Sequence, residues 1–214
     1  MNYEFRPLRR SDIAHVIEGW NDCLPYDRIT EDRFESTIFD DPNFEGEGNI
    51  VATLDYIIVG LSAAVAREGV AGRDGRGRDY ERDFGYIKGL FALDAHREGG
   101  AKRILLERSL RFLRFKGKKM AKVGQYTGNF FSPGIDKRYE EELRFYREND
   151  FEEVDTVEDV ALDLTAFQVT EYQVQAQRSA RDLGVMIEPY RPEHLEGMRH
   201  FVERLNYPEW FPEG

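Results

Sequence analysis

An α/β chain, built on a mixed and mostly antiparallel sheet flanked by helices, is predicted from three observations. Two β-rich runs, residues 50–54 and 56–61, meet at Asp55 in the pattern of a hairpin. The apolar run DFGYIKGLFAL, residues 83–93, passes through a short turn into the long basic stretch HREGGAKRILLERSLRFLRF. Strand-like and helix-like segments alternate along the chain in the order β-αα-β-β-β-α-β-α-β-β, which belongs to an α/β protein.

Residues 3–8 alternate as a strand, with Phe5 and Leu8 as core candidates. Ser11 or Asp12 can cap a helix whose Ile13, Val16, Ile17 and Trp20 form an apolar stripe, ended by Pro25. Thr30, with Glu31 and Asp32 in the first turn, starts a second helix that carries Phe34 and Ile38 and stops before Pro42. After the hairpin, residues 69–82 (GVAGRDGRGRDYER) are glycine-rich, charged and aperiodic, so they read as a surface loop. Beyond the central helix, residues 120–127 form a strand and Pro133-Gly134 a turn. Asp136 is the expected cap of a helix with Tyr139, Leu143 and Tyr146 on one face. Residues 151–154 and 157–164 read as two further strands, and residues 168–181 as a connecting helix.

At 214 residues the chain holds one generous domain, or one domain and a fragment. A formal charge of −11 argues against wrapping nucleic acid or lying on an anionic membrane, and it favours small or cationic partners. A single cysteine, Cys23, excludes an intramolecular disulfide and a cysteine-based structural zinc site. His15, His96, His194 and His200 do not fall at metal-ligand spacing, so no metal is expected. With no apolar run of membrane-spanning length and no hydrophobic core in MNYEFRPLRRSD, the chain reads as cytoplasmic.

Gly99 and Gly100 stand where a long helix begins, although glycine costs roughly 1 kcal/mol of helix propensity. Without a Cβ, a strand-to-helix turn can bring its free N–H groups up to a phosphate, which the positive end of the helix dipole favours. The dinucleotide pattern GxGxxG and the P-loop pattern are both absent from this turn.

Its order, a strand followed by a (Q/R)xxGx(G/A) turn and a Leu-Leu pair, resembles motif A of the GNAT superfamily, the acyl-CoA-dependent N-acyltransferases. Aligned on Leu105-Leu106, Arg97 takes the first place and Gly100 the central one, with Lys102 where the family has Gly or Ala. Shifted by one residue, Gly99 is central and Ala101 last, with His96 in the first place. Downstream, FYRENDFEEV resembles the end of the family's motif B: Tyr146 and Phe151 match, and Asp150 replaces a glycine that sits in a left-handed conformation. Asn and Asp tolerate that conformation best among non-glycine residues. The family's upstream NxxA is replaced, with Tyr139 at the Asn and Glu142 at the Ala.

The resemblance covers about residues 3–166 and implies a GNAT-like fold with a splayed strand pair that holds acetyl-CoA as cosubstrate. By position, the backbone of Phe91, Ala92 and Leu93 would bind pantetheine. Arg97, Glu98, Gly99, Gly100, Ala101, Lys102 and Arg103 would surround the pyrophosphate, with Lys102 or Arg103 as a cation for a CoA phosphate. Tyr146 would give a proton to the leaving thiolate. Asp83 and Tyr86 are candidates for the general base by proximity alone. The implied activity is transfer of an acyl group to a primary amine, on a small molecule or a peptide. The alternative is a non-catalytic CoA-binding or protein-interaction module, favoured by Lys102 and the lost NxxA.

The tail repeats the head. Phe5-Arg6-Pro7-Leu8-Arg9, with Ile13 and Val16, recurs 182 residues later as Ile187-Glu188-Pro189-Tyr190-Arg191, with Leu195 and Met198. The expected organisation is a GNAT-like domain over residues 1–166, a linker helix over 167–182, and the incomplete start of a second GNAT-like unit over 183–214. Roughly thirty residues cannot bury a core of their own. They would pack on the first domain, on a neighbouring chain in a homodimer, or within a longer tandem protein. Tyr207, Trp210 and Phe211 mark a docking surface there.

Overall fold

The β-rich runs pair into one five-stranded sheet in the computed structural model, which describes residues 2–67, 82–97, 99–126, 128–158 and 160–205. Strands β1 (Glu4–Pro7), β2 (Asn49–Leu54), β3 (Ile57–Val65), β4 (Phe84–Ala92) and β5 (Met120–Val123) lie side by side in chain order. The first three junctions are antiparallel and the last, β4 with β5, is parallel. Asp55 and Tyr56 close the expected β2–β3 hairpin, both with positive φ (51° and 67°), as a two-residue turn that follows the twist of its strands requires. Apart from Arg82, the glycine-rich segment at 69–82 lies outside the described residues.

Helices cover both faces. Helix α1 (Ile13–Cys23) follows a 3-10 turn at Arg10–Asp12; α2 (Glu31–Phe34) continues as a π-type turn over Glu35–Phe39. Their Val16, Trp20, Phe34 and Ile38 pack with Val51, Leu61 and Phe91 of the sheet. On the other face, α4 (Ala101–Phe115), which comes after the short α3 (Asp94–Arg97), sets Leu105, Leu106 and Leu113 against Ile50, Val59, Ile87 and Leu90. Burying each such side chain contributes about 1.5–3 kcal/mol. Thr30 caps α2 as expected, its Oγ1 accepting the Arg33 N–H at 3.3 Å. Asp12 instead accepts from the Arg9 N–H (2.9 Å) and from the Arg6 guanidinium (2.7 and 2.9 Å).

Helix α5 (Glu140–Glu148) begins four residues after Asp136, because that carboxylate is engaged by the backbone and side chain of Arg138. Its end fulfils the left-handed expectation: Asp150 has φ 63°. The Phe151 N–H reaches back to the Tyr146 carbonyl (3.0 Å) and the Asp150 N–H to that of Arg147 (3.3 Å), the paired bonds of a Schellman stop. The Phe151 and Tyr146 rings close it at 5.2 Å between centroids.

Met1–Glu153 forms one compact unit and Val154–Leu205 another. Neither strand expected at 151–154 and 157–164 forms. Val160, Leu162 and Leu164 alternate as in a strand but are exposed, since no described strand runs beside them to complete a ladder. In the second unit, α6 (Glu171–Asp182) carries a Thr170–Gln173 capping box. A 3-10 turn at Pro192–His194 then enters α7 (Leu195–Leu205). Each boundary stands 182 positions after its counterpart at Arg10–Asp12 and Ile13–Cys23. The local side-chain pairing recurs with the carboxylate on the other partner, Arg6–Asp12 in the head and Glu188–His194 (3.3 Å) in the tail. Among the described residues no helix is long and apolar enough to cross a membrane.

Candidate active site

Strands β4 and β5 pair only from Phe84–Met120 to Ile87–Val123, after which the Gly124 N–H bonds the Ile87 carbonyl at 3.0 Å and the chain leaves the sheet. From Lys88 to Ala92, β4 is bonded to β3 alone. The cause is a β-bulge. Ala63 pairs with Gly89 and Ala64 with Ile87, so Lys88 is an extra residue that bends the strand and shifts the phase of residues 89–93. Gly124 and Gln125, with φ of 67° and 55°, turn the departing chain away.

The shifted phase decides which backbone groups face the opening. Leu93 donates its N–H to the Val59 carbonyl at 2.9 Å, and Phe91, two residues earlier and opposite Leu61, faces β3 in the same way. Both are therefore withdrawn from the expected pantetheine contacts. Ala92 turns the other way, its carbonyl accepting the Cys23 S–H at 3.5 Å, and it alone of the three addresses the unpaired edge.

The two glycines of the turn serve different ends. A Cβ on Gly99 would lie 2.2 Å from the Tyr3 hydroxyl, which also meets His96 Nδ1 at 3.3 Å, so Gly99 admits Tyr3. Gly100 is the N-cap of α4 in the left-handed region (φ 81°), has no side-chain cap, and has nothing within 4 Å of the space where a Cβ would stand. This supports the register with Gly100 in the centre. The first N–H groups of a helix lack intrahelical acceptors. Ala101 and Arg103 belong to this first turn, whose geometry is a cradle of the kind that can take a phosphate group. Glu98 and the Arg97 side chain lie outside the described residues.

Lys102 is not a cation for a phosphate. It is buried, its ammonium paired with the equally buried Glu142 of α5 and set 4.5 Å over the Phe145 ring. The two departures from the family's motifs thus meet each other. Arg103 keeps an exposed guanidinium, 3.3 Å from Glu107.

Tyr146 lies in the core cluster that holds Leu90 and Leu105. Burial above all, and then the Glu142 charge, pushes its hydroxyl well above the usual phenol range. Among the described residues none hydrogen-bonds that hydroxyl. It is a protonated donor without an acceptor among them. Tyr139, by contrast, is committed: its hydroxyl accepts the Tyr26 and Asp27 N–H groups at 2.7 and 3.1 Å. Asp83 is ion-paired to Lys119 at 3.0 Å, and Tyr86 is buried against Tyr126 on the closed half of β4, so neither candidate base reaches the opening.

A buried polar cluster at the bulge has no counterpart among the residues the sequence singled out. The Lys88 ammonium is bound by the Asp41 carboxylate and the Thr37 carbonyl and lies 4.6 Å from the Tyr126 ring. Asn129 donates to Asp41 (3.0 Å) and the Tyr126 hydroxyl donates to it at 3.3 Å. Burial, partly offset by Asp41, lowers Lys88 to about 8. The signal was a lone lysine inside an otherwise apolar strand, since a buried charge demands a partner elsewhere.

No protein-family model matches the chain, and no curated protein matches its sequence. Solved structures do resemble it. Ard1 from Thermoplasma volcanium superposes with a TM-score of 0.54 over 72% of this chain and 86% of that one, at 16% identity. The aminoglycoside acetyltransferase AAC(6')-Iy, in complex with a CoA bisubstrate analogue, gives 0.52 over 76% and 99%, at 15% identity. A GCN5-related glucosamine N-acetyltransferase region in a fungal multi-domain β-N-acetylglucosaminidase gives 0.72 over 95% of this chain and 23% of that one, at 19% identity. At such identities the likeness is one of fold.

Proposed function

The chain has the fold of the GNAT acetyltransferases, and from that we propose that it transfers an acetyl group from acetyl-CoA to a primary amine of a small molecule or peptide. The observation that carries this reading is the unpaired half of β4, opened by the bulge at Lys88 and leading into the uncapped N-terminus of α4. In it, the amides at Ala101 and Arg103 hold the pyrophosphate, with the Arg103 side chain beside them. The Ala92 backbone groups align the pantetheine arm. An uncharged amine attacks the thioester carbonyl, the C–N bond forms and the C–S bond breaks. The departing sulfur takes a hydrogen bond and then a proton from Tyr146, and the amine's surplus proton, relayed through solvent, restores the phenol, so that amide and thiol are the only products. The charge of −11 supports a cationic acceptor, and amino sugars are the acceptors named for two of the structural neighbours.

Isothermal titration with acetyl-CoA is expected to show saturable binding, weakened by Gly100→Val, which strains the left-handed position and fills the cradle. No saturation at millimolar ligand would end the reading. Saturable binding without thiol release across a panel of amines would favour the non-catalytic CoA-binding module.

The tail supports a second proposal on organisation. The shared offset of turn, helix and side-chain pairing supports residues 183–205 as the opening of a second GNAT-like unit. Leu195, Met198 and Phe201 are largely exposed, whereas Ile13 and Val16 at the matching head positions are buried. Deleting residues 183–214 should leave acetyl-CoA affinity within about twofold of the full chain, because the hydrophobic clusters around the sheet are drawn from residues 3–151. Loss of binding on deletion would show the tail to be part of the first unit's site.

A further inference from the structure

We propose that the buried Lys102–Glu142 pair is a positioning device, fixing the helix that carries Tyr146 against the first turn of α4 so that hydroxyl and phosphate turn keep one register. The inference rests on the acyl-transfer reading and goes past it, since neither residue touches the reacting atoms. Its geometry is specific. Lys102 is the second residue of α4, inside the turn whose amides face the cradle. Glu142 stands one helical turn before Tyr146 on α5. Both side chains are more than nine-tenths buried. The Phe145 ring lies under the ammonium and packs edge-on against Tyr146, with centroids 5.5 Å apart.

A buried pair of this kind adds little net stability, because desolvation cancels much of the attraction, yet it tolerates only one arrangement of its partners. A slip of α5 along α4 would leave both charges unpaired in the core. The pair also acts on Tyr146 through its charge. Glu142, on the same helix, disfavours the phenolate, and Lys102 from α4 holds that carboxylate in place. The buried hydrophobic residues that share its cluster come mostly from the sheet and α4, with Phe145 and Phe151 against its ring.

The test uses the full chain with ring-labelled tyrosine, Tyr146 being identified by the resonance lost in Tyr146→Phe. In wild type its signal should hold still through about pH 10, the ordinary tyrosine value. In Glu142→Gln the titration of Tyr146 should move to lower pH. The double variant Lys102→Met/Glu142→Leu, which replaces the pair with apolar side chains, should fold and show the same move. Its kcat should fall about 10²-fold, as expected for a donor displaced by an ångström, with KM for acetyl-CoA nearly unchanged. Wild-type titration and wild-type kcat in the folded double variant would overturn the proposal. The resonance reports on the coupling even where no acetyl-CoA binds, so failure of the acyl-transfer reading and failure of this inference are read separately.

Discussion

Replacing Tyr146 with phenylalanine is expected to slow acyl transfer by about 10²–10⁴-fold, the range contributed by a positioned proton donor. Only one oxygen is removed from a ring held between Phe145 and Phe151. Packing and acetyl-CoA affinity should therefore survive, and the loss should fall on kcat. The direction of the shift at Tyr146 adds a second expectation. A hydroxyl held above the usual phenol range is protonated at any physiological pH, so Tyr146 should impose no alkaline limb on kcat below about pH 10, the ordinary tyrosine value. Steady-state kinetics of thiol release across pH, for wild type and variant, checks both. Equal rates would remove Tyr146 from the mechanism.

Asp41→Ala is expected to destabilise the fold by about 3–5 kcal/mol, because it leaves the Lys88 ammonium buried without its counter-charge. A Lys88→Met/Asp41→Leu pair should recover most of that loss. Urea unfolding measures both, and an Asp41→Ala loss under about 1 kcal/mol would refute the account. The same cluster predicts a pH dependence of stability. The unfolded chain binds the Lys88 proton up to about pH 10.5, the folded chain only to about 8. Folding expels a proton in that window, so the contribution of Lys88 to stability rises with pH across it. Tyr126 has the opposite sign: burial raises it to about 12 from 10.0, so the folded state keeps a proton that the unfolded state has lost, and stability falls above pH 10. Lys88→Met should abolish the rising limb, and Tyr126→Phe should make the falling one shallower, since Tyr139 and Tyr146 are raised as well.

Much of the local structure was legible because its causes are local. The Asp55 hairpin, the Thr30 cap, the helix from Ala101 and the left-handed Asp150 each arise from propensity, capping or backbone sterics within a few residues. The start of α5 was misplaced for a local reason too, Asp136 having a nearer claimant in Arg138.

Residue types and their spacing along the chain determined by themselves the α/β class, the order of the elements as far as α5, the glycine turn before a long helix, and a head pattern that returns 182 residues later. Only the tertiary structure decided what those residues meet. The bulge at Lys88 reverses which strand residues face the opening, so Ala92 faces it and Phe91 and Leu93 do not. Lys102, basic and next to a phosphate cradle in sequence, is turned inward by Glu142, forty residues away. The strand-like alternation at 157–164 finds no ladder. The physical reason is common to all three. Period and propensity are properties of a segment, whereas a charge's partner, a carbonyl's direction after a bulge and a strand's neighbour are set by chain that arrives from elsewhere.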